Sequence, residues 1–153
     1  MLRTFEQNGW ILEVDRESTA ELYQKIPLIS ECTCGYCLNF VTAYVHFPQA
    51  VKDFFEQFGI DPRREGEVYH LGDEKEGTFL YGGFFHFVGR LNGTGQDLEI
   101  VPGFEVSFNT KNHLLPKTWE GPAVQMDILF QNVPWMFDLS PNELYKKLHP
   151  AKA

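Results

Sequence analysis

The sequence lacks the features that place a protein in a membrane or on nucleic acid. None of its apolar runs approaches the roughly 18 residues that span a bilayer, so we expect no transmembrane segment. It has 13 lysines and arginines against 21 aspartates and glutamates, and the basic residues form no cluster. Nucleic acids and anionic membrane surfaces bind proteins that present a basic face. The net charge of −8 therefore argues against both as partners.

Cysteine is scarce, with three residues in a chain of 153. The N-terminal stretch MLRTFEQNGWILEV also lacks the apolar core and small residues of a signal peptide. We therefore expect a cytoplasmic protein with reduced thiols. A chain of this length predicts one globular domain, residues 1–153, that buries a core without disulfides or metal.

Familiar catalytic motifs are absent as well. The sequence has no G-x-S-x-G, no H-E-x-x-H, no P-loop and no G-x-G-x-x-G between a strand and a helix. The stretch NGTG at residues 92–95 precedes a predicted strand, so it does not place a helix N-terminus against a phosphate. We therefore expect no cofactor, and the sequence leaves open whether the protein is an enzyme.

The apolar residues that are present predict an α+β fold. Their spacing is helical before residue 65 and alternates after it. Predicted helices cover 35–46, 48–58 and 141–148, with a shorter helix that begins at Ser18 or Thr19 and ends at Pro27. Predicted strands cover 10–15, 67–71, 78–91, 96–101, 104–109 and 124–133. We expect N-terminal helices packed on a mainly antiparallel, curved sheet of five to six strands, with a C-terminal helix.

The strand at 78–91 is apolar on both sides, which is typical of a strand covered on both faces. Helices can cover one face, and the other requires the long loop 110–123, a second subunit or a ligand. The chain is also rich in aromatics, with 14 Phe, 6 Tyr and 3 Trp. These features favour a non-enzymatic binding or self-association domain, and we expect a homo-oligomer.

A rival hypothesis places a small-molecule site on the polar side of the sheet. If strands 78–91, 104–109 and 124–133 align, one face carries a histidine, an arginine, two carboxylates and an amide. Such a mixture around apolar residues is typical of a ligand pocket, and a histidine beside carboxylates can act as an acid or base. The simpler interpretation, which we favour, is a solvated sheet face. The candidate residues are His86, Arg90, Glu105, Asp127 and Gln125.

The three cysteines form a C-x-C-x-x-C cluster of Cys32, Cys34 and Cys37. A closed zinc site needs a fourth ligand, and His46 is about 13 Å along the same helix from Cys37, which leaves His70 or His86. Thioredoxin-like redox pairs lie in a βαβ unit. The strands downstream of these cysteines are predicted to be antiparallel, which argues against a redox pair. We favour a third interpretation, in which Cys34 and Cys37 lie on a buried helix stripe with Val41 and Tyr44.

Three stretches resemble a bacterial protein family of uncharacterised function. They are C-T-C-G-Y-C-L-N-F around Cys37 and Asn39, F-G-I-D-P at residues 58–62, and Y-G-G-F-F-H-F-V-G at residues 81–89. The resemblance spans roughly the middle third of the chain. It implies a bacterial protein with a single domain, and it implies nothing about mechanism.

Overall fold

The computed structural model describes residues 2–28, 35–64, 66–74 and 77–150 of the chain. Its four helices are α1 (Arg16–Gln24), α2 (Gly35–Ala43), α3 (Gln49–Gln57) and α4 (Pro141–Leu148). A 3₁₀ turn, Tyr44–His46, continues α2. Its strands are β1 (Leu2–Gln7), β2 (Trp10–Asp15), β3 (Glu67–Asp73), β4 (Thr78–Gly93), β5 (Leu98–Val101), β6 (Phe104–Asn109) and β7 (Ala123–Pro134).

The strands form one antiparallel sheet in the order β1-β2-β4-β7-β6-β5, and β3 also pairs with β4. The α+β prediction with an antiparallel sheet is confirmed, but the predicted count of five to six strands is wrong, because the described residues already form a sheet of seven. The chain also begins with a β-hairpin and not with helices. The hairpin turns at Asn8 and Gly9, whose φ angles of 55° and 91° match a type I′ turn. Asn-Gly is the strongest short sequence signal for a β-hairpin. It indicates strand β1, which the spacing of apolar residues did not predict.

Helices α2 and α3 cover the inner face of the sheet, where the aromatic residues form the core. Ring centroids of Phe55 and Phe85 lie 5.4 Å apart, and those of Phe58 and Phe87 lie 5.0 Å apart. Such tilted and edge-on aromatic pairs add to the stabilisation from apolar burial. Most of the chain's many aromatic residues therefore serve to fill the core.

Two helix predictions agree closely with the structure. Helix α3 ends where Gly59 adopts a φ of 77°, as a glycine after a helix C-terminus does. Helix α4 begins after Ser140, whose hydroxyl accepts a hydrogen bond from the Glu143 amide at 3.2 Å. No helix within the described residues is long and apolar enough to cross a membrane.

The predicted stripe on α2 is only partly correct. Cys37 and Phe40 are buried, whereas Val41 and Tyr44 are half-buried. The α-helix ends at Ala43 and tightens into the 3₁₀ turn, which changes the angle between successive side chains. Tyr44 lies in this turn, and the Arg63 guanidinium lies 4.5 Å from its ring centroid.

Helix α1 occupies a gap in the sheet. On one edge of β4, β3 pairs as far as Phe84 and β2 pairs from Gly89 onward, so residues 85–88 have no neighbouring strand there. The Thr19 hydroxyl accepts a hydrogen bond from the Val88 amide at 2.9 Å. The Tyr23 hydroxyl donates a hydrogen bond to the His86 carbonyl oxygen and accepts one from the His86 amide. Side chains of α1 thus satisfy backbone groups that a strand would otherwise pair.

Candidate functional site

The outer face of the sheet, opposite α2 and α3, collects most of the polar residues singled out in the sequence. His86 pairs with Gln125, and Phe84 pairs with Asp127. Because directly paired residues present their side chains on the same face, the register brings His86, Gln125 and Asp127 together. The next strand adds Glu105, which pairs with Leu129 two residues farther along β7.

His86 itself lies beneath the long loop and is fully buried. Its ring centroid is 6.1 Å from that of Trp119 and 6.0 Å from that of Phe84. Trp119 also packs edge-on against Tyr23, at 6.1 Å. The loop 110–123 and α1 therefore cover this end of the outer face, which explains why β4 is apolar on both sides. A substrate reaches the imidazole only if the loop moves.

The amides and carboxylate beside His86 hold the loop in place. The Gln125 side-chain oxygen accepts a hydrogen bond from the His113 amide at 2.7 Å. The two oxygens of Asp127 accept hydrogen bonds from Gln125 at 2.6 Å and from Asn109 at 2.8 Å. These bonds orient Asp127 on the outer face, and they give Gln125 a structural role.

Arg90 stands apart from this cluster. It pairs in register with Glu13, and its Nε lies 4.0 Å from a Glu13 carboxylate oxygen. Four residues of strand separate it from His86, which is about 13 Å. The structure therefore brings His86, Gln125 and Asp127 together, places Glu105 diagonally next to Asp127 on β6, and leaves Arg90 at the far end of the face.

The other end of the outer face is open and apolar. Tyr69 and Leu71 are 44% and 50% exposed. A Cβ at Gly82 would lie 2.6 Å from the Tyr69 ring and 2.9 Å from a Leu71 methyl, so both side chains lie flat over this glycine. We call this region the open half of the outer face. Its apolar side chains are Tyr69, Leu71, Leu80, Phe84 and Leu129.

One cross-strand row connects the open half to the carboxylates. Tyr69 pairs with Gly82, and Gly82 pairs with Leu129. Leu129 pairs with Glu105, and Glu105 pairs with Glu99 on the edge strand β5. We call these five residues the Tyr69–Glu99 row. A shallow hollow of about 160 Å³ lies beside its acidic end, lined by Asp97, Glu105, Ser107 and Asp127 among others.

Sequence reasoning found Glu105 but missed Tyr69, Leu71 and Glu99. The alternation in EVYHL was the available signal, because it places Tyr69 and Leu71 on the side opposite Val68 and His70. Only the register of β3 shows that this side is the uncovered one.

A groove separates α1 from the end of the long loop. Its larger part, about 410 Å³, is lined by Ser18, Leu22 and Glu120 among others. A second part of about 230 Å³ is lined by Trp119. The Trp119 Nε1 is buried and has no hydrogen-bond partner among the described residues. Buried donors in native proteins are usually paired, with protein groups or with bound water or ions.

Of the cysteines, only Cys37 lies within the described residues; Cys32 and Cys34 lie outside them. Cys37 is buried, as the packed-helix interpretation expects, and its sulfur lies 3.7 Å from the carbonyl oxygen of Val68. Within the described residues no group of three potential metal ligands occurs. His86 lies on the outer face and Cys37 packs on the inner side, so these two do not share an ion.

His70, the other predicted fourth ligand, makes contacts of its own. Its ring stacks on Tyr36 with centroids 4.2 Å apart. Its Nε2 lies 2.9 Å from an Asp73 carboxylate oxygen. These contacts orient the imidazole without a metal.

Comparison of the chain with protein-family models, with curated proteins and with solved structures found no significant match. The resemblance to a bacterial family therefore stays a prediction.

Proposed function

We propose that the chain is a non-enzymatic binding domain that docks a partner on the open half of its outer face. The observation that carries this proposal is the exposure of Tyr69 and Leu71, which lie side by side over Gly82. A contiguous apolar surface on a folded protein marks an interaction site more often than scattered apolar residues do. Tyrosine is also enriched at the centres of protein interfaces.

The rest of the sheet supports this assignment by elimination. The inner face packs against α2 and α3, and the far end of the outer face packs against α1 and the loop 110–123. In the open half, Tyr69 and Leu71 stay exposed, whereas Leu80, Phe84 and Leu129 are half-buried. Five side chains form only the centre of an interface, since a standard interface has about 20–30 residues on each side. The surrounding polar residues therefore contact the partner too.

The experiment is to replace Leu71 with Glu and to follow both association and stability. Light scattering over a hundredfold concentration range detects self-association, and selection from a phage-displayed random peptide library detects a different partner. Val45→Glu is the matched control, because Val45 is 65% exposed and lies next to α2 on the opposite side of the molecule from the open half. We expect Leu71→Glu to abolish association, Val45→Glu to preserve it, and neither to lower the midpoint of thermal unfolding. Association that survives Leu71→Glu would overturn the proposal.

Catalysis is less well supported than binding. The predicted acid or base, His86, is buried under Trp119. Gln125 and Asp127 are engaged in hydrogen bonds that hold the loop. A catalytic group has to reach its substrate within hydrogen-bond distance, and this arrangement keeps substrate away from the imidazole.

A small-molecule site under the loop 110–123 is the second candidate, and the Trp119 indole favours it. Its buried N–H lacks an acceptor among the described residues, and the Trp119 side chain is one of the groups that line the 230 Å³ hollow. A ligand with a carbonyl or anionic oxygen would supply that acceptor. A thermal-shift screen of such compounds against wild type and Trp119→Phe tests the idea, because binding that depends on the N–H is lost in the variant. Equal shifts in both proteins would exclude this role.

A further inference from the structure

Resting on the proposed function, we infer that the partner of the open half is a cationic polypeptide segment with apolar side chains, and not a second copy of this chain. The Tyr69–Glu99 row carries the inference. Across four strand spacings of about 4.8 Å each, the surface changes from an aromatic ring to a pair of carboxylates. A partner that covers the whole row needs an apolar group at one end and positive charge at the other.

The acidic end of the row is unusual within the fold itself. Glu99 and Glu105 are directly paired across β5 and β6. Directly opposed like charges destabilise a sheet, so folding alone does not favour this arrangement. None of the ion pairs among the described residues involves Glu99, Glu105 or Asp127. Lysine or arginine from a partner would relieve the repulsion.

Further carboxylates surround the same surface. Asp97 and Asp127 line the 160 Å³ hollow beside Glu105. Glu67 is exposed on the other flank, where it pairs with Phe84. The open half is therefore bordered by negative charge on both sides. Arg90 is about 20 Å along β4 from Phe84 and does not offset this charge.

Charge complementarity distinguishes a basic partner from a second copy. If two chains met through this face, the carboxylates around each open half would border the same buried surface. Each chain also carries a net charge of −8, which adds repulsion between copies. A lysine- or arginine-bearing segment gains attraction from the same groups. The exposed Tyr69 ring further offers a face on which a cation or an apolar side chain can pack.

The test is to select random peptides on phage against the full-length wild-type protein and to measure the affinities of the recovered peptides. The variant Glu99→Gln/Glu105→Gln removes the paired charges. The control Glu6→Gln/Glu21→Gln removes the same amount of charge from β1, at the opposite edge of the sheet, and from α1, where both side chains are exposed. We expect peptides rich in Lys or Arg with interspersed apolar residues. We expect their affinity to fall about threefold to tenfold in the first variant and to change little in the control.

Three results would contradict the inference, and they separate it from the proposed function. Neutral or acidic peptides that lose binding in Leu71→Glu would overturn the cationic partner and leave the binding face standing. Self-association that is lost in Leu71→Glu and strengthened in Glu99→Gln/Glu105→Gln would identify a second copy as the occupant. Peptides that bind Leu71→Glu as well as wild type, or the absence of both peptides and self-association, would overturn the face itself.

Discussion

The hydroxyl of Tyr23 lies 2.6 Å from the carbonyl oxygen of His86, and it accepts a hydrogen bond from the amide of the same residue at 3.2 Å. One side chain of α1 thus satisfies both backbone groups of a buried residue of β4. The contact lets β4 run without interruption past the gap between β2 and β3. It also fixes α1 beside the loop 110–123, and together they cover one end of the outer face.

Removing this hydroxyl should therefore destabilise the fold strongly. We expect Tyr23→Phe to lower the free energy of unfolding by about 2–4 kcal/mol, because it removes two hydrogen bonds to the backbone of the buried His86. Chemical denaturation measures the change. Tyr145→Phe, on the exposed face of α4, is the control and should change the free energy by less than about 0.5 kcal/mol. Equal stability of the two variants would show that α1 does not complete the sheet edge.

The paired carboxylates Glu99 and Glu105 should oppose folding. We expect Glu105→Lys to raise the free energy of unfolding by about 0.5 kcal/mol, since it replaces a like-charge cross-strand pair with an opposite-charge pair. The gain should shrink at high salt, where exposed charges are screened. A loss of stability in urea denaturation at low salt would mean that the two side chains do not repel each other.

Asp61 should contribute stability that depends on pH. Burial raises the pKa of its carboxyl, but hydrogen bonds and charge from Arg63, with a further bond from Arg64, outweigh this and leave the pKa below its ordinary value of 3.8. Because the folded pKa is lower than the unfolded one, the contribution is fully present above about pH 4 and is lost as the pH falls through the folded pKa.

We therefore expect Asp61→Asn to be less stable than wild type at neutral pH and the difference to narrow below about pH 4. Thermal unfolding measured across this range checks the prediction. Asp53→Asn, on the exposed face of α3, is the control and should change the midpoint of thermal unfolding little at neutral pH. A difference for Asp61→Asn that stays constant down to low pH would show that the ion pairs with Arg63 and Arg64 contribute little.

Cys37 should behave as a packed residue. It is 8% exposed, so we expect slow reaction with a thiol reagent in the native protein and fast reaction on unfolding.

Cys37→Ala should lower the free energy of unfolding by about 1 kcal/mol. Cys37→Ser should cost about 1–3 kcal/mol, more than Cys37→Ala, because it buries a hydroxyl, and the Val68 carbonyl oxygen, 3.7 Å from the sulfur, is too distant for a hydroxyl on the shorter C–O bond. Stoichiometric zinc in protein purified without added metal would contradict this account, as would a reversible disulfide between Cys34 and Cys37.

The sequence predicted the parts of the fold that depend on local periodicity and capping. Helix α4 was predicted at its observed bounds because Ser140, Pro141 and Glu143 form a complete N-terminal signal. Strand β1 was missed because one buried residue, Phe5, gives it no alternation to detect. The role of α1 as a substitute for a strand depends on where β2 and β3 end along β4, and that is a tertiary property.

In the candidate site, too, the features that depend on local sequence were predicted and those that depend on tertiary structure were not. Alternation along β4, β6 and β7 placed His86, Glu105, Gln125 and Asp127 on one face, because the period of a strand fixes its two sides. It did not distinguish the covered end of that face from the open end. That distinction depends on Trp119, which lies 33 residues beyond His86 in the chain and packs over it. Tyr69 and Leu71 were missed for the same reason.

The most direct test of the central claim is to locate the binding surface by NMR, with isotope-labelled protein titrated with the peptides that selection recovers. The account predicts amide shift changes concentrated on the open half of the outer face, at Tyr69, Leu71 and Leu129, that extend along the row to Glu105. The loop residue Trp119 should change little. Shift changes confined to α1 and to residues 116–122, with the open half unaffected, would contradict the account and place the site in the groove beneath the loop.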